Sequence, residues 1–316
     1  MDSNGQSDRP SGAVLQLVVV DPVGGLGNSL FSVSAGFALA RRHGCRFAIR
    51  QLDFVPGHCS EISPHYPHGW PVYWDTVFRK FRVEPFEDGD LADVEFWNAQ
   101  GFVELDSLVP EAAKRIRVSG YFQNTRFFDS HKQEIASLIR EPPPDIAEYL
   151  NQKYELGPAT KVLIIGVRQS ADYAENDWLL PVEYYLNAYR FFRDSTDGDD
   201  YRVIAVADEN DWVRANLQPK ISDLLLADER DNPLGHHMSV IQFYLMMRGT
   251  AFVLSNSTFH WWGAYLADTE LILSPKHHHN PHRVAMPGQA HYHEIGEEPQ
   301  DGPRWTSPVI RVVGDD

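Results

Sequence analysis

One short stretch concentrates the groups that could do chemistry. Between Lys161 and Tyr173 the chain reads K-V-L-I-I-G-V-R-Q-S-A-D-Y, so Arg168, Gln169, Ser170 and Asp172 follow directly on the apolar run Val162–Val167. A guanidinium in that place suits a diphosphate, because its planar donor fork matches two phosphate oxygens at once. The plainer alternative is an arginine that ends a strand and pairs with Asp172. A second stretch, D-P-V-G-G-L-G-N-S-L-F, brings Gly25, Gly27 and Asn28 to a turn. Its backbone N–H groups could face an anion, or the turn could simply need glycine to bend. It is not G-x-G-x-x-G, which argues against an NAD(P)-type oxidoreductase. A third stretch, S-N-S-T-F-H-W-W, sets Asn256, Ser257, Thr258 and Phe259 at the start of a helix, as an anion site or as a cap alone. Asp208 ends another apolar run and could hold a nucleoside or begin the next helix.

Strands must deliver these groups. Val162–Val167 is β-branched and apolar, as a strand buried on both faces requires. In an open α/β sheet ligands bind at the carboxyl ends of the strands, where Arg168 would emerge. Val14–Val20 reads as a first strand, followed by a helix over Leu30–His43 that Gly44 stops. Cys45–Arg50 and Ile116–Tyr121 read as strands and Arg126–Arg140 as a helix, while aromatic- and proline-rich Leu52–Asp93 reads as long loops with short helices. The three prolines in Glu141–Asp145 predict a stiff connector and divide the chain into 1–145 and 146–316, with a helix over Asp145–Tyr154.

The second half then alternates. Helices are predicted over Pro181–Arg193, Glu209–Gln218 and Ser239–Arg248, and strands over Arg202–Ala207, Leu224–Ala227, Ala251–Leu254 and Leu271–Ser274. Alternation of this kind implies a parallel sheet with right-handed crossovers. Met1–Gly12 reads as disordered, and no periodicity is visible beyond Pro275.

At 316 residues, with 43% hydrophobic and 12% aromatic content, the chain can bury two cores. A net charge of −16 argues against a nucleic-acid or anionic-membrane partner. Cys45 and Cys59 are too few for a disulfide scaffold and read as free thiols of a reducing, cytoplasmic compartment. No apolar run reaches the ~18–20 residues of a bilayer span, which predicts a soluble protein, although the sequence does not show whether a natural form carries an anchor. The histidines His277, His278, His279 and His282, and the pair His236–His237, lack acidic or thiol partners at ligand spacing, so no metal is expected.

Several of these stretches together resemble the α1,2-fucosyltransferase family, glycosyltransferase family 11. The family's G-G-L-G-N-Q-L-F is similar to Gly24–Phe31, its G-Y-F-Q to Gly120–Gln123, its H-x-R-R-x-D to Gly166–Asp172, its S-D-D-x-x-W to Ala207–Trp212, and its N-S-T-F-S-W-W-G-A-W-L to Asn256–Leu266. The resemblance covers roughly residues 14–276. It implies a GT-B architecture, two Rossmann-like α/β domains facing a central cleft, with residues 1–145 on the acceptor side and 146–316 on the donor side. It also implies an inverting transfer from GDP-fucose to a glycan hydroxyl, with no cofactor or metal. The donor residues would be Gly25, Gly27, Asn28, Arg168, Gln169, Asp208, Asn256, Ser257, Thr258 and Phe259. Arg168, Asp172 and Asn28 would stand at the reaction, with Asp172, Glu175 and Asp177 as the carboxylates in range to deprotonate the acceptor. Trp261, Trp262 and Gly263 read as core.

The chain departs from its family where the chemistry is densest. Gly166 stands for the motif histidine, Gln169 for its second arginine, an extra residue precedes Asp172, and Gln242 stands for an aspartate. Weaker GDP binding is expected unless a histidine from Pro275–His282 fills the space above Gly166. A transferase re-tuned to another nucleotide sugar and a non-catalytic nucleotide- or glycan-binding pseudoenzyme are the alternatives.

Overall fold

The computed structural model describes residues 14–51, 71–86, 91–97, 102–196, 200–267, 269, 271–275 and 292–295. They form two parallel sheets. The first holds β1 (Leu17–Val20), β2 (Arg46–Arg50), β3 (Val83–Glu84), β4 (Ala92–Phe96) and β5 (Arg115–Gly120) in the order β3-β2-β1-β5-β4. The second holds β6 (Lys161–Val167), β7 (Tyr201–Ala207), β8 (Leu225–Leu226), β9 (Ala251–Val253), β10 (Leu271–Pro275) and β11 (Tyr292–Ile295) in the order β11-β10-β9-β6-β7-β8. Each sheet is covered by helices. In chain order these are α1 (Leu26–Arg42), α2 (Pro71–Trp74), α3 (Leu105–Leu108), α4 (Lys132–Ile139), α5 (Pro144–Lys153), α6 (Ala171–Glu175), α7 (Val182–Ser195), α8 (Asn210–Asn216), α9 (Met238–Met246) and α10 (Thr258–Leu266). None of the described helices is long and apolar enough to cross a membrane.

Both sheets are centred where the apolar runs are longest. All four residues of β1 are buried, and β6 is buried from Val162 to Val167. A strand enclosed on both faces has no use for alternating polarity. Helix α1 lies unusually close to its sheet because its facing residues are small. A Cβ on Gly36 would stand 2.2 Å from Val20 Cγ2. One hydrophobic cluster joins the two halves. Phe31 of α1 sits 4.8 Å from the ring of Trp261 and 4.9 Å from that of Trp262, and Phe128 stacks on Trp262 at 5.4 Å. The paired tryptophans are core, as expected, and the core is an interdomain one. A second cluster, with Leu163, Ile165 and Val167, fills the other face of the second sheet against α7 and α8.

Four expectations change. Helix α1 starts at Leu26 rather than Leu30, which puts Gly27 and Asn28 inside its first turn. Pro144 does not extend the connector but opens α5, a position where the missing N–H costs nothing. The helix expected over Arg126–Arg140 is two 3-10 turns followed by the shorter α4. Strands β3, β4 and β11 arise where the sequence suggests loops or shows no pattern, each pairing over only a few residues. Met1–Gly12, Cys59 and the His277–His282 loop lie outside the described residues.

Helix α5 is fastened to the second sheet by a buried carboxylate. Glu229 is fully buried and accepts hydrogen bonds from Tyr149 Oη at 2.7 Å, from Lys153 Nζ at 2.9 Å, and from Tyr154 Oη.

Candidate active site

The site assembles at the carboxyl ends of β6, β7 and β9. Gly166 pairs with Val206 in the sheet register, and β9 runs on the other side of β6. Strand side chains alternate faces, so Arg168 and Asp208, each two residues beyond that pair, continue the face that Gly166 and Val206 present. Arg168 Nη2 donates to both carboxylate oxygens of Asp172, at 3.2 and 3.0 Å, and its Nε stands 3.2 Å from Asp208 Oδ2. The guanidinium also lies over the Tyr173 ring, 4.9 Å from its centroid. Arg168 is thus paired with Asp172 at the strand end, the plainer of its two readings, and a second carboxylate, Asp208, stands beside its Nε.

Asp172 is a poor proton acceptor in this setting. Partial burial pushes its carboxyl up, but hydrogen bonds from Ser170 and the charge of Arg168 outweigh that and hold it below its usual value. Glu175 and Asp177 are exposed on the same loop. The loop itself is tied down at three points. Gln169 Nε2 donates to the Leu180 carbonyl at 2.9 Å, Asn256 Nδ2 to the Trp178 carbonyl at 3.1 Å, and Tyr173 Oη to the Asn256 carbonyl at 3.0 Å. Gln169 and Asn256 thus shape the loop with their side chains. The backbone N–H of Gln169 donates to Asp208 Oδ1 at 2.9 Å, and Glu209 N–H donates to the same oxygen at 2.9 Å.

The two glycine- and serine-marked turns meet. A Cβ on Gly27 would stand 2.5 Å from Thr258 Oγ1 and 2.6 Å from both Phe259 N and Thr258 C. Hence α1 and α10 begin against each other, and their positive dipole ends converge on one spot. The amides there are not all available. Phe259 N–H donates to Ser257 Oγ at 3.2 Å, and Ser257 N–H to Ser255 Oγ at 3.3 Å. Among the described residues, no acceptor faces the N–H of Thr258. Gly25 caps α1 with extended backbone, and Gly24 before it takes φ +65°, where glycine is needed. Asn28 Oδ1 accepts from Gln123 Nε2 at 2.8 Å, which joins the turn after β5 to the start of α1.

The space above Gly166 is filled by His260 of α10. A Cβ on Gly166 would lie 2.5 Å from His260 Cγ and 2.8 Å from His260 Nδ1 and Cδ2. In the sequence His260 is only a part of the helix-opening motif, because nothing local marks a partner 94 residues away. Gln242, also buried, donates to the carbonyls of Ala207 and Ala227 at 3.2 and 2.9 Å, and so joins the ends of β7 and β8. Of the other histidines, His237 caps α9 and His236 faces Asp145. No three His, Cys, Asp or Glu side chains among the described residues form a metal-binding set.

Known proteins share stretches of this sequence and its fold. The model of the family described as glycosyl transferase family 11 matches residues 176–293, a span that begins just after Arg168 and contains α10. An alpha-1,2-colitosyltransferase of Escherichia coli is 20% identical over 272 residues, which cover 81% of this chain and 90% of that protein. The O-antigen biosynthesis glycosyltransferase WbnK of Escherichia coli is 25% identical over 170 residues, 49% of this chain and 53% of WbnK. Among solved structures, the fucosyltransferase NodZ from Bradyrhizobium superimposes with a TM-score of 0.53 at 16% identity, covering 80% of this chain and 93% of NodZ. The NodZ alpha-1,6-fucosyltransferase soaked with GDP-fucose gives 0.53 at 15% identity, with 83% and 95% covered. At such identities the likeness is one of fold, and the fold is GT-B: two parallel-sheet α/β domains.

Proposed function

We propose that the chain is a divergent, fucosyltransferase-like member of glycosyl transferase family 11, and that it moves fucose, or a related deoxy sugar, from a GDP-sugar to a hydroxyl of a glycan, with inversion and without a metal. The observation that carries this reading is the meeting of α1 and α10 at Gly27 and Thr258, one strand away from Arg168. In this reading two helix N-termini and one guanidinium face a single diphosphate, and together supply the charge that a cation would otherwise bring.

In the transfer, the acceptor oxygen bonds to the anomeric carbon as its bond to the diphosphate oxygen breaks, and GDP leaves with the electron pair. Arg168 stabilises the charge that grows on GDP, with Asp172 and Asp208 orienting its fork. Thr258 N–H donates from the start of α10. Asn28, held by Gln123, faces the sugar side, and Asp208 the nucleoside side. Asp172 enters as a partner of Arg168 and not as the base, because its lowered pKa makes it a weak proton acceptor. The acceptor proton passes to Glu175, Asp177 or solvent. We place the domain boundary at 145/146, ahead of most of α5, because Glu229 of the donor-side domain anchors that helix; residues 1–145 form the acceptor side.

The test is release of GDP from GDP-fucose, and from the activated colitose that the Escherichia coli relative's name suggests, with glycan acceptors and with EDTA or Mn²⁺ added. Acceptor-dependent release that EDTA does not reduce is the expected result. Activity lost in EDTA and restored by Mn²⁺ would refute the assignment of the diphosphate charge. Binding of GDP without any release would favour a pseudoenzyme, the reading that the altered motif at Gly166 and Gln169 supports.

A further inference from the structure

Three strand ends deliver the donor-site groups, and one imidazole touches all three. His260 lies in the first turns of α10 and is only 3% exposed. Its ring occupies the slot over Gly166 of β6, where a Cβ would come within 2.5 Å of it. Its Nδ1 is 2.6 Å from Ser255 Oγ, just beyond β9. On the β7 side, Val206, the register partner of Gly166, lies beside the ring. These contacts fall two residues before Arg168, two before Asp208 and two before Ser257. The spacing has a physical consequence. A side chain two positions along a strand continues the same face, so the level of the ring sets the level at which the next polar groups emerge.

We propose that His260 is the positioning residue of the donor site: seated in the slot that Gly166 leaves open, it fixes the ends of β6, β7 and β9 and so sets where Arg168, Asp208 and Ser257 stand. The proposal rests on the donor-site reading above and adds to it the group that holds the site together. His260 is no ligand contact and no proton donor. Burial first, and the charge of Arg168 second, lower its pKa to about 3, so the ring is neutral and puts no second cation under the guanidinium. Ser255 is drawn into the same device, since its hydroxyl meets both the ring and the N–H of Ser257. The glycine and the histidine also form a pair, because a side chain at 166 and an imidazole at 260 claim the same volume.

A reciprocal exchange tests this. Wild type, Gly166→His, His260→Ser and the double variant Gly166→His/His260→Ser are compared by calorimetric titration of GDP and by hydrogen exchange of peptides covering residues 166–172, 206–210 and 255–259. Each single variant should weaken GDP binding by about tenfold or more and speed exchange at all three strand ends together. The double variant returns an imidazole to the slot from the opposite side, and should recover affinity to within about threefold and restore protection. Ile165→Ala, which loosens the other face of the same strand, controls for general destabilisation and should leave GDP affinity within about twofold. Unchanged exchange in His260→Ser, or a double variant no better than the worse single one, would overturn the proposal. If wild type binds no GDP, the donor reading fails, while the exchange pattern still judges His260.

Discussion

The meeting of α1 and α10 makes a sharp prediction at Gly27. Replacing a helical glycine by alanine ordinarily stabilises a helix, by up to ~1 kcal/mol. Here the added Cβ would lie 2.5 Å from Thr258 Oγ1 and 2.6 Å from two backbone atoms of Thr258 and Phe259. Ordinary carbon contacts begin near ~3.5 Å, so the two helix starts must separate by about 1 Å. Backbone at a capped helix start cannot move aside as a long side chain can. Overpacking of this kind costs about 1–3 kcal/mol, which exceeds the propensity gain, and the net expectation is a loss of about 1 kcal/mol. The displacement matters more for binding. A shift of about 1 Å takes an N–H group outside the narrow distance range of a good hydrogen bond, so GDP affinity should fall about tenfold or more. Gly157→Ala is the control, since its Cβ would meet only Thr160 Oγ1, at an ordinary 3.5 Å. Thermal unfolding and calorimetry of the two variants decide the matter. A Gly27→Ala protein that melts at or above wild type and binds GDP unchanged would refute the close approach and the site built on it.

Two further outcomes follow from the same geometry. Arg168→Lys keeps a charge but loses the fork that spans Asp172 and Asp208, so it should fold normally and turn over donor about 30- to 100-fold more slowly; turnover within about twofold of wild type would remove Arg168 from the diphosphate. The depressed pKa of His260 also links stability to pH. With an ordinary value of 6.5 and a folded value of about 3, its contribution is complete above 6.5 and is lost as pH falls, by about 2 kcal/mol between pH 7 and pH 5. Urea unfolding at the two pH values should show His260→Gln without that loss, and an identical pH slope in both proteins would contradict the buried neutral ring.

What the sequence makes legible here is local. Val162–Val167 announces a strand by its own composition, and Arg168 is placed at its end by adjacency alone. The Gly-rich turn and the N-S-T-F turn each declare a helix start in the same way, although α1 begins four residues earlier than its apolar pattern suggests, because Gly27 and Asn28 belong to the helix without contributing to that pattern. What stays hidden is the contact between such pieces. Gly27 reads as a flexible turn residue, yet it is required because Thr258 lies against it from another domain. Gln169 and Asn256 read as donor contacts from the linear motif; that their side chains also fasten the 170–180 loop is visible only in the fold. The same limit explains why Gly166 and His260 look like separate features in a linear reading. In space an imidazole still occupies the floor beneath Arg168, and it reaches that floor from α10 instead of β6. On the proposal that His260 positions the donor site, the departure at Gly166 is filled from position 260, at the level where the polar strand ends emerge.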